Sequence, residues 1–212
     1  MNQISLCGIS AVADAEKPTR RALAKRRTRE KIVAAAKSLF AERGYDASTI
    51  RDIAKAAGMS TGAVFASFTD KSDLFTEIAE AEQAGLYQAM QLAGAGLSGG
   101  AAIAAMLDAA SERQAAELAL VRAVMSALWT PGLAERARRR LDRRPVTSLI
   151  AAAVRQELAD IEPADALFVA EMIWDGYLAT LRRAALGGES ASAVKARIHA
   201  GASTILAGAK VG

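Results

Sequence analysis

The stretch that decides the fold is DASTIRDIAKAAGMSTGAVFASF, residues 46–68. Ser48 or Thr49 can cap a first helix, and Ser60 can cap a second. Gly58 lies where a residue in the left-handed conformation would end the first helix. Apolar spacing places the buried face of that helix on Ile50, Ile53, Ala54 and Ala57. These signals predict two short helices joined by a turn of about three residues, the arrangement of a helix-turn-helix motif.

Side chains of particular size in this stretch indicate how the two helices pack. Ala54 is small enough to let the second helix cross closely, Val64 supplies a buried side chain, and Phe68 closes the unit. A preceding amphipathic helix is predicted over residues 28–42, and Gly44 ends it. The N-terminal part of the chain is therefore predicted to be a unit of three helices.

Positive charge is concentrated in the same part of the chain. Residues 17–74 contain 13 Lys and Arg against 6 Asp and Glu, a balance of +7, whereas residues 75–212 contain 14 against 15, a balance of −1. The segment KPTRRALAKRRTREK, residues 17–31, alone has eight basic residues and reads as a flexible arm that runs into a helix. This asymmetry points to a polyanion such as nucleic acid as partner. A solvated basic face is the alternative.

The remainder of the chain also reads as helical, because alanine, leucine and arginine dominate its composition. The predicted order is a long helix over 71–92, a glycine-rich linker over 94–100, an apolar helical region over 101–129, a helix from Pro131, a helix after Pro145, and two final helices over 163–186 and 190–207. The fold class is therefore all-α. Residues 1–16 are predicted to be a disordered tail, 17–74 one domain, and 75–212 a second.

Composition weighs against several classes of protein. The N-terminus lacks a basic segment before its weakly apolar stretch, so it does not resemble a secretory signal, and no stretch of about 18 apolar residues is free of charge. A cytoplasmic location without membrane association is expected. Cys7 is the sole cysteine and His199 the sole histidine. Without a cluster of metal ligands or a phosphate-binding glycine loop, we expect no enzyme, no metal and no cofactor.

The segment TREKIVAAAKSLFAERGYDASTIRDIAKAAGMSTGAVFASFTDKSDLFTEI, residues 28–78, resembles the DNA-binding domain of the TetR family over roughly 50 residues. The specific signs are LFAERGYDAST, then IRDIAKAAGMSTGAVF, and then an F-x-x-K-x-x-L ending formed by Phe68, Lys71 and Leu74. Beyond this segment the likeness is one of general plan. The resemblance implies an N-terminal three-helix helix-turn-helix domain and a C-terminal helical domain for ligand binding and dimerisation.

The resemblance also assigns residues to a DNA interface. It implies a phosphate contact for Thr49, and it places Phe65 where the family usually has a tyrosine whose hydroxyl reaches a phosphate. The recognition helix would present its first turn to the major groove, through Ser60, Thr61, Gly62 and Ala63. The side chains of Phe65 and Ala66 offer no hydrogen-bonding group there. Much of the affinity for DNA is therefore expected from contacts to the DNA phosphate backbone by basic side chains: Arg26, Arg27, Arg51 and Lys71. The alternative for Thr49 and Ser60 is a role as helix caps only, and the alternative for Phe65 is a place in the core.

The same resemblance places an effector pocket and a dimer interface in the second domain. Adaptable apolar side chains are candidates for the pocket lining: Met106, Met125, Trp129, Met172, Trp174 and Tyr177. Apolar positions on the last two helices are candidates for the interface: Leu167, Leu178, Leu181, Val194, Ile198 and Ile205. The alternative for each pocket residue is ordinary core. If Glu171 and Asp175 face the pocket, their carboxylates would favour a cationic amphiphile as effector. The alternative is that they pair with arginines or face water.

The sequence is therefore interpreted as a homodimeric, sequence-specific DNA-binding regulator. The expected mechanism is a repressor released from a palindromic operator by a small, largely apolar effector. One alternative is an architectural DNA-binding protein with no effector, and another is a repressor released by a protein partner. The basic run from Arg136 to Arg144 is either a solvated helix face or a site for an anionic effector or additional DNA.

Overall fold

The computed structural model describes residues 19–127, 133, 135, 140–187 and 189–210. This part of the chain contains helices and connecting turns and no strand, which confirms the all-α prediction. The helices are α1 (Arg20–Arg43), α2 (Ile50–Ala56), α3 (Thr61–Phe65), α4 (Lys71–Gly94), α5 (Gly99–Ala116), α6 (Leu118–Ala127), α7 (Arg144–Glu157), α8 (Pro163–Gly187) and α9 (Ala191–Ala209).

The caps predicted for the helix-turn-helix are present. The Thr49 hydroxyl accepts a hydrogen bond from the Asp52 amide at 3.1 Å, and the Ser60 hydroxyl accepts one from the Ala63 amide at 3.2 Å. Between α2 and α3, Gly58 has a φ of +67°, a conformation that glycine adopts without steric cost. The local signals therefore produce the two short helices and the turn in the predicted register.

The core of the first domain extends beyond the helix-turn-helix. Side chains of α1, α2, α3 and the first half of α4 form one buried cluster, in which Phe40 and Phe75 meet edge to face at 5.6 Å. Leu120 and Ala123 of α6 belong to the same cluster, although they lie far along the chain. The predicted boundary at residue 74 falls inside α4, which runs continuously from this core into the second.

The second domain is a layered helical unit built around a separate core. That core contains buried side chains from α4, α5, α7, α8 and α9. Within it, Trp174 stacks on Tyr177 with ring centroids 4.8 Å apart, and the Tyr177 hydroxyl donates to Gln114 of α5. Burial raises the pKa of the Tyr177 phenol. α4 packs on α5, α5 packs on α7 and α9, and α8 packs on both α7 and α9.

Three predicted segments differ from the structure. The basic arm is not separate from α1, which already begins at Arg20, with the Thr19 hydroxyl accepting from the Ala22 amide. The described part of the predicted apolar region, up to Ala127, consists of two helices, because the chain leaves the helical conformation at Glu117, with φ −120° and ψ +30°. The glycine-rich linker is shorter than predicted, since Gly99 and Gly100 begin α5. The predicted tail over 1–16 and the helix start at Pro131 lie outside the described residues.

Among the described residues, no helix is both long enough and apolar enough to cross a membrane.

Candidate nucleic-acid interface and ligand cavity

The surface of α3 is small, uncharged and open. Ser60, Thr61, Gly62 and Ala66 are exposed, and Ala63 is half-buried. Phe65 is 57% exposed, because Val64 and Phe68 supply the core contacts of this segment. The exposure excludes the alternative in which Phe65 is a core residue. The surface that would meet DNA therefore carries an aromatic ring among methyl groups and two hydroxyls.

Cations flank α3 on the preceding helix. Arg51 and Lys55 are both exposed on α2, and Lys55 was not among the predicted contacts. The Thr49 hydroxyl before them accepts from the Asp52 amide at 3.1 Å, and the Asp52 carboxylate accepts from the Thr49 amide at 3.2 Å, which together form a capping box. The Thr49 hydroxyl also donates to the Asp52 carboxylate at 2.6 Å. These intramolecular bonds engage Thr49 as a cap, and its phosphate contact stays a prediction.

Arg26 and Arg27 lie exposed on the first half of α1. Arg26 is paired with Glu30 one turn later, at 2.8 Å. Such an exposed pair at i and i+4 contributes little to stability and is readily rearranged. Both side chains project from a helix and are accessible to solvent, and their phosphate contacts stay a prediction.

Lys71 has an intramolecular role that the sequence did not reveal. Its Nζ atom donates to the carbonyl oxygens of Tyr45 at 2.8 Å and Ser48 at 3.0 Å, and lies 4.1 Å from the centroid of the Tyr45 ring. Burial lowers the pKa of Lys71. These contacts explain a cation at the start of α4 without a phosphate. The phosphate contact of Lys71 stays a prediction.

Arg29 holds the recognition helix against α1. Its guanidinium binds Glu77 of α4 through Nε at 2.9 Å, donates to the Ser67 carbonyl oxygen, and lies 4.1 Å from the centroid of the Phe68 ring. Because Ser67 and Phe68 directly follow α3, this one side chain ties α1, α3 and α4 together. The pattern of basic residues alone did not distinguish Arg29 from its exposed neighbours.

A cavity of about 340 Å³ lies between α4, α5, α6 and α8. Its walls are mostly apolar and include Leu86, Leu120, Val121, Val124, Trp174 and Leu178. Polar side chains that also border it include Glu82, Gln83, Arg113, Gln114, Glu117 and Arg143. An apolar cavity with few polar groups is the usual form of a small-molecule site.

Only part of the predicted pocket lining borders this cavity. Trp174 borders it, and Tyr177 lies behind Trp174 in the core. Met106 packs against Gly94 and does not line the cavity. Met172 is 44% exposed on the outward side of α8, so its assignment to the pocket is corrected. The side chain of Met125 and the whole of Trp129 lie outside the described residues.

The structure also differs from the predicted dimer interface in which residues face outward. Leu181 and Ile198 are buried in the core of their own chain, and Leu178 borders the cavity, so none of these three is an outward-facing contact. Leu167 is 38% exposed, whereas Val194 and Ile205 are half-buried. The largest exposed apolar side chains on α8 are Phe168, 62% exposed, and Met172. Since α8 is apolar on most sides, periodicity did not identify its outward face.

Glu82 of α4 connects the cavity to the first domain. One carboxylate oxygen accepts from Lys37 of α1 at 2.7 Å, and the other accepts from Arg113 of α5 at 3.2 Å. Glu117 adds a second partner for Lys37 at 3.7 Å. Gly85 makes room for Arg113, because a Cβ atom there would lie 2.7 Å from the guanidinium carbon. The cavity wall is thus bonded directly to the helix that supports the helix-turn-helix.

The described part of the basic run forms ion pairs within the chain. Arg140 binds Glu80 at 2.7 Å and Asp73 at 3.2 Å, both on α4. Arg143 binds Asp175 at 2.9 Å, so Asp175 pairs with an arginine at the surface. The residues from Arg136 to Arg139 lie outside the described part. His199, half-buried on α9, is bonded to Asp108 at 2.6 Å.

Comparison with known proteins agrees with this architecture. Residues 32–78 match the family model described as bacterial regulatory proteins, tetR family. The chain is 42% identical to the HTH-type transcriptional regulator AcrR of Shigella flexneri over 59 residues, and 38% identical to the HTH-type transcriptional repressor AcnR of Corynebacterium glutamicum over 74 residues. The AcrR match covers 28% of this chain and 27% of AcrR, and the AcnR match covers 35% of this chain and 36% of AcnR. This chain therefore spans well under half of the length of these two relatives.

The fold likeness extends over most of the chain. The crystal structure of the transcriptional regulator FadR from Bacillus subtilis, in complex with stearoyl-CoA, superposes with a TM-score of 0.72. The superposition covers 84% of this chain and 98% of FadR, at 17% sequence identity. The family comprises transcription regulators and not enzymes. The helix-turn-helix domain is therefore similar in sequence to the tetR family of bacterial regulatory proteins over residues 32–78, and most of the chain is similar in fold to FadR.

Proposed function

We propose that this protein is a sequence-specific transcriptional repressor whose hold on DNA is released by a small molecule. The single observation that carries the proposal is the position of Glu82, which borders the cavity and binds Lys37 of the DNA-binding domain. A ligand in the cavity would contact a side chain on which the position of α1 depends. Binding at one site would therefore alter geometry at the other.

The DNA interface combines α3 with the cations around it. The exposed face of α3 would enter the major groove, while Arg26, Arg27 and Arg51 contact phosphates. Thr49 and Lys71 would add phosphate contacts if their intramolecular bonds rearrange on DNA. These contacts fix the register of the protein on the duplex, and the side chains of α3 distinguish its bases.

A homodimer would present two copies of this interface. The exposed apolar side chains Leu167, Phe168 and Met172 of α8 supply a surface for a second copy, and α9 lies beside it. Two recognition helices spaced by one turn of DNA, about 34 Å, would read a palindrome. A single five-residue helix makes too few contacts for that purpose.

The effector is proposed to be largely apolar, with a polar end. Trp174, Leu86 and Val121 favour an apolar body, and Gln83 and Gln114 offer hydrogen bonds at the same cavity. The neighbour FadR of Bacillus subtilis was solved with stearoyl-CoA, which is a molecule of this general kind. Effector binding would shift the population toward a dimer with the wrong spacing between recognition helices. A coupling of about 1–3 kcal/mol is typical of such systems.

The test is selection of duplexes from random DNA by the purified protein at physiological salt. Recovery of a palindromic consensus would support a dimeric operator-binding regulator, and the consensus would then serve as the probe in a screen for releasing molecules. Recovery of DNA without a consensus would instead support an architectural protein, the candidate that the uncharged surface of α3 favours. Release by a protein partner is less favoured because the described residues border a mostly apolar cavity of ligand size.

A further inference from the structure

We infer that the α3 surface reads thymine bases through their 5-methyl groups, and that Phe65 is the principal specificity-determining residue. This inference rests on the proposed DNA-binding function and adds to it the chemical feature that is recognised. It follows from three observations: the side chains that α3 lacks, the ring that it exposes, and the space beside that ring.

The first observation concerns hydrogen bonding. Between Ser60 and Thr69 the chain contains no Arg, Lys, Asn, Gln, Asp or Glu. Paired hydrogen bonds to guanine come from Arg or Lys, and those to adenine come from Asn or Gln. The Ser60 hydroxyl already accepts from the Ala63 amide. α3 therefore lacks the side chains that distinguish purines by paired hydrogen bonds.

The second observation concerns Phe65. Phe40, Phe68 and Phe75 are buried in the core of the first domain, but Phe65 exposes 57% of its surface. The fold does not require this ring, because Val64, fully buried, and Phe68, 2% exposed, supply the packing of the same segment. An exposed phenylalanine on a helix that faces DNA has one apolar feature of the major groove to contact, the thymine methyl group.

The third observation concerns the space beside the ring. Gly62 precedes Phe65 by three residues and Ala66 by four, so the three positions share one face of the helix. A Cβ atom at Gly62 would have only the Ser60 hydroxyl within 4 Å, at 3.8 Å, so this side is open. The Ala66 methyl group and the Phe65 ring thus border a shallow apolar depression beside Gly62, which we call the apolar step. A thymine methyl group on the floor of the major groove can lie in it.

The charges around α3 indicate DNA as the partner of this apolar step. Arg51 and Lys55 are exposed on α2, where they can bind phosphates without reading sequence. Because these cations contact phosphates, the apolar step is the part of the surface that distinguishes one base from another. The expected preference is for half-sites with thymines at the positions facing Phe65 and Ala66.

The test replaces thymine by deoxyuridine, one position at a time, in the consensus recovered by selection. Deoxyuridine keeps every hydrogen bond of thymine and removes only the methyl group. Loss of one buried methyl contact is expected to weaken binding about fourfold at one or two positions of each half-site, and less than twofold elsewhere. In Phe65→Ala these positions should lose their sensitivity, whereas Phe65→Tyr, which keeps the ring, should retain it.

Leu92→Ala is the matched control, because it also removes an apolar side chain that is 77% exposed. Leu92 lies near the C-terminal end of α4, whereas α3 precedes the N-terminal end of that helix. It should leave the deoxyuridine pattern unchanged. Equal binding of thymine and deoxyuridine sites by the wild-type protein would overturn the inference about methyl groups. The proposed function as a DNA-binding repressor would not be affected by that result. Deoxyuridine sensitivity that survives in Phe65→Ala would overturn the assignment to Phe65. Failure to recover any consensus would overturn the proposed function itself.

Discussion

At the scale of single residues, Lys71 and Phe65 have opposite relations to the fold. The Lys71 ammonium lies partly buried against the loop between α1 and α2 and donates to the carbonyl oxygens of Tyr45 and Ser48 in that loop. Phe65 contributes little to the core and is exposed on the recognition helix. A charged residue is thus partly buried in the fold, whereas an apolar residue is left exposed.

Replacing Lys71 with Met, which keeps the aliphatic stem and removes the donors, is expected to lower the free energy of unfolding by about 1–3 kcal/mol. The reason is that the Tyr45 and Ser48 carbonyl oxygens lose a charged partner. Urea unfolding followed by circular dichroism measures the change. Lys55→Met, at an exposed position on α2, is the control and should alter stability by less than about 0.5 kcal/mol.

The salt dependence of DNA binding by the same variant separates the two roles of Lys71. A purely intramolecular role leaves the slope of log affinity against log salt unchanged. A phosphate contact would instead lower the slope by about 0.9, equally for all DNA sequences.

At the scale of elements, the beginnings of the helices determine the geometry of the DNA-binding domain. α2 has seven residues and α3 has five, too few to be stable as isolated helices. Their caps and their packing on α1 and α4 therefore hold them in place.

Thr49→Ala is expected to destabilise the protein by about 1 kcal/mol, because the Asp52 amide loses its acceptor and the Asp52 carboxylate keeps only the bond from the residue 49 amide. Thr49→Ser keeps the hydroxyl and should restore most of that loss. Thermal unfolding of the three proteins measures it. A Thr49→Ala protein as stable as wild type would show that the capping box contributes nothing to α2.

The bond between α1 and α4 can be measured by a double-mutant cycle of Lys37→Met and Glu82→Gln. Since both side chains are about 70% covered, a coupling free energy of about 1 kcal/mol is expected from chemical unfolding. The exposed pair Arg26 and Glu30 gives the matched cycle, in which no coupling should be measurable. Equal coupling in both cycles would argue against Glu82 as the connection between cavity and DNA-binding domain.

At the scale of the whole molecule, two cores share α4 and meet at α6. Leu120 packs in the core of the first domain and also borders the cavity of the second. A shift of α6 around a bound ligand would therefore reach α1 both through this contact and through Glu82.

Phe168→Glu is expected to weaken self-association at least tenfold, because a symmetric interface would bring two carboxylates onto its apolar surface. Sedimentation velocity at several protein concentrations measures the effect. The fold should persist, since Phe168 is 62% exposed in the single chain. Leu92→Glu, at another exposed apolar position, should leave the association state unchanged, and an equal loss in both variants would exclude α8 as the interface.

Local signals accounted for much of the fold and for part of the site. The caps at Thr49 and Ser60, the turn at Gly58 and the helix starts near Lys71, Pro163 and Ser190 agree with the structure within a few residues. The pocket and the interface were less accessible to sequence reasoning. α8 carries apolar side chains nearly all round, so Met172 and Leu181 could not be assigned to outside and inside by spacing.

By itself the sequence determined the helix-turn-helix, the all-helical class and the concentration of positive charge at one end. These features depend on hydrogen bonds and side-chain spacing within about four residues, and neighbours in sequence encode both. Only the tertiary structure decided that Lys71 lies against the loop before α2, that Glu82 joins the cavity to Lys37, and that Phe168 and Met172 face outward. Each of these depends on which helices pack together, and residues separated by tens of positions jointly determine that packing.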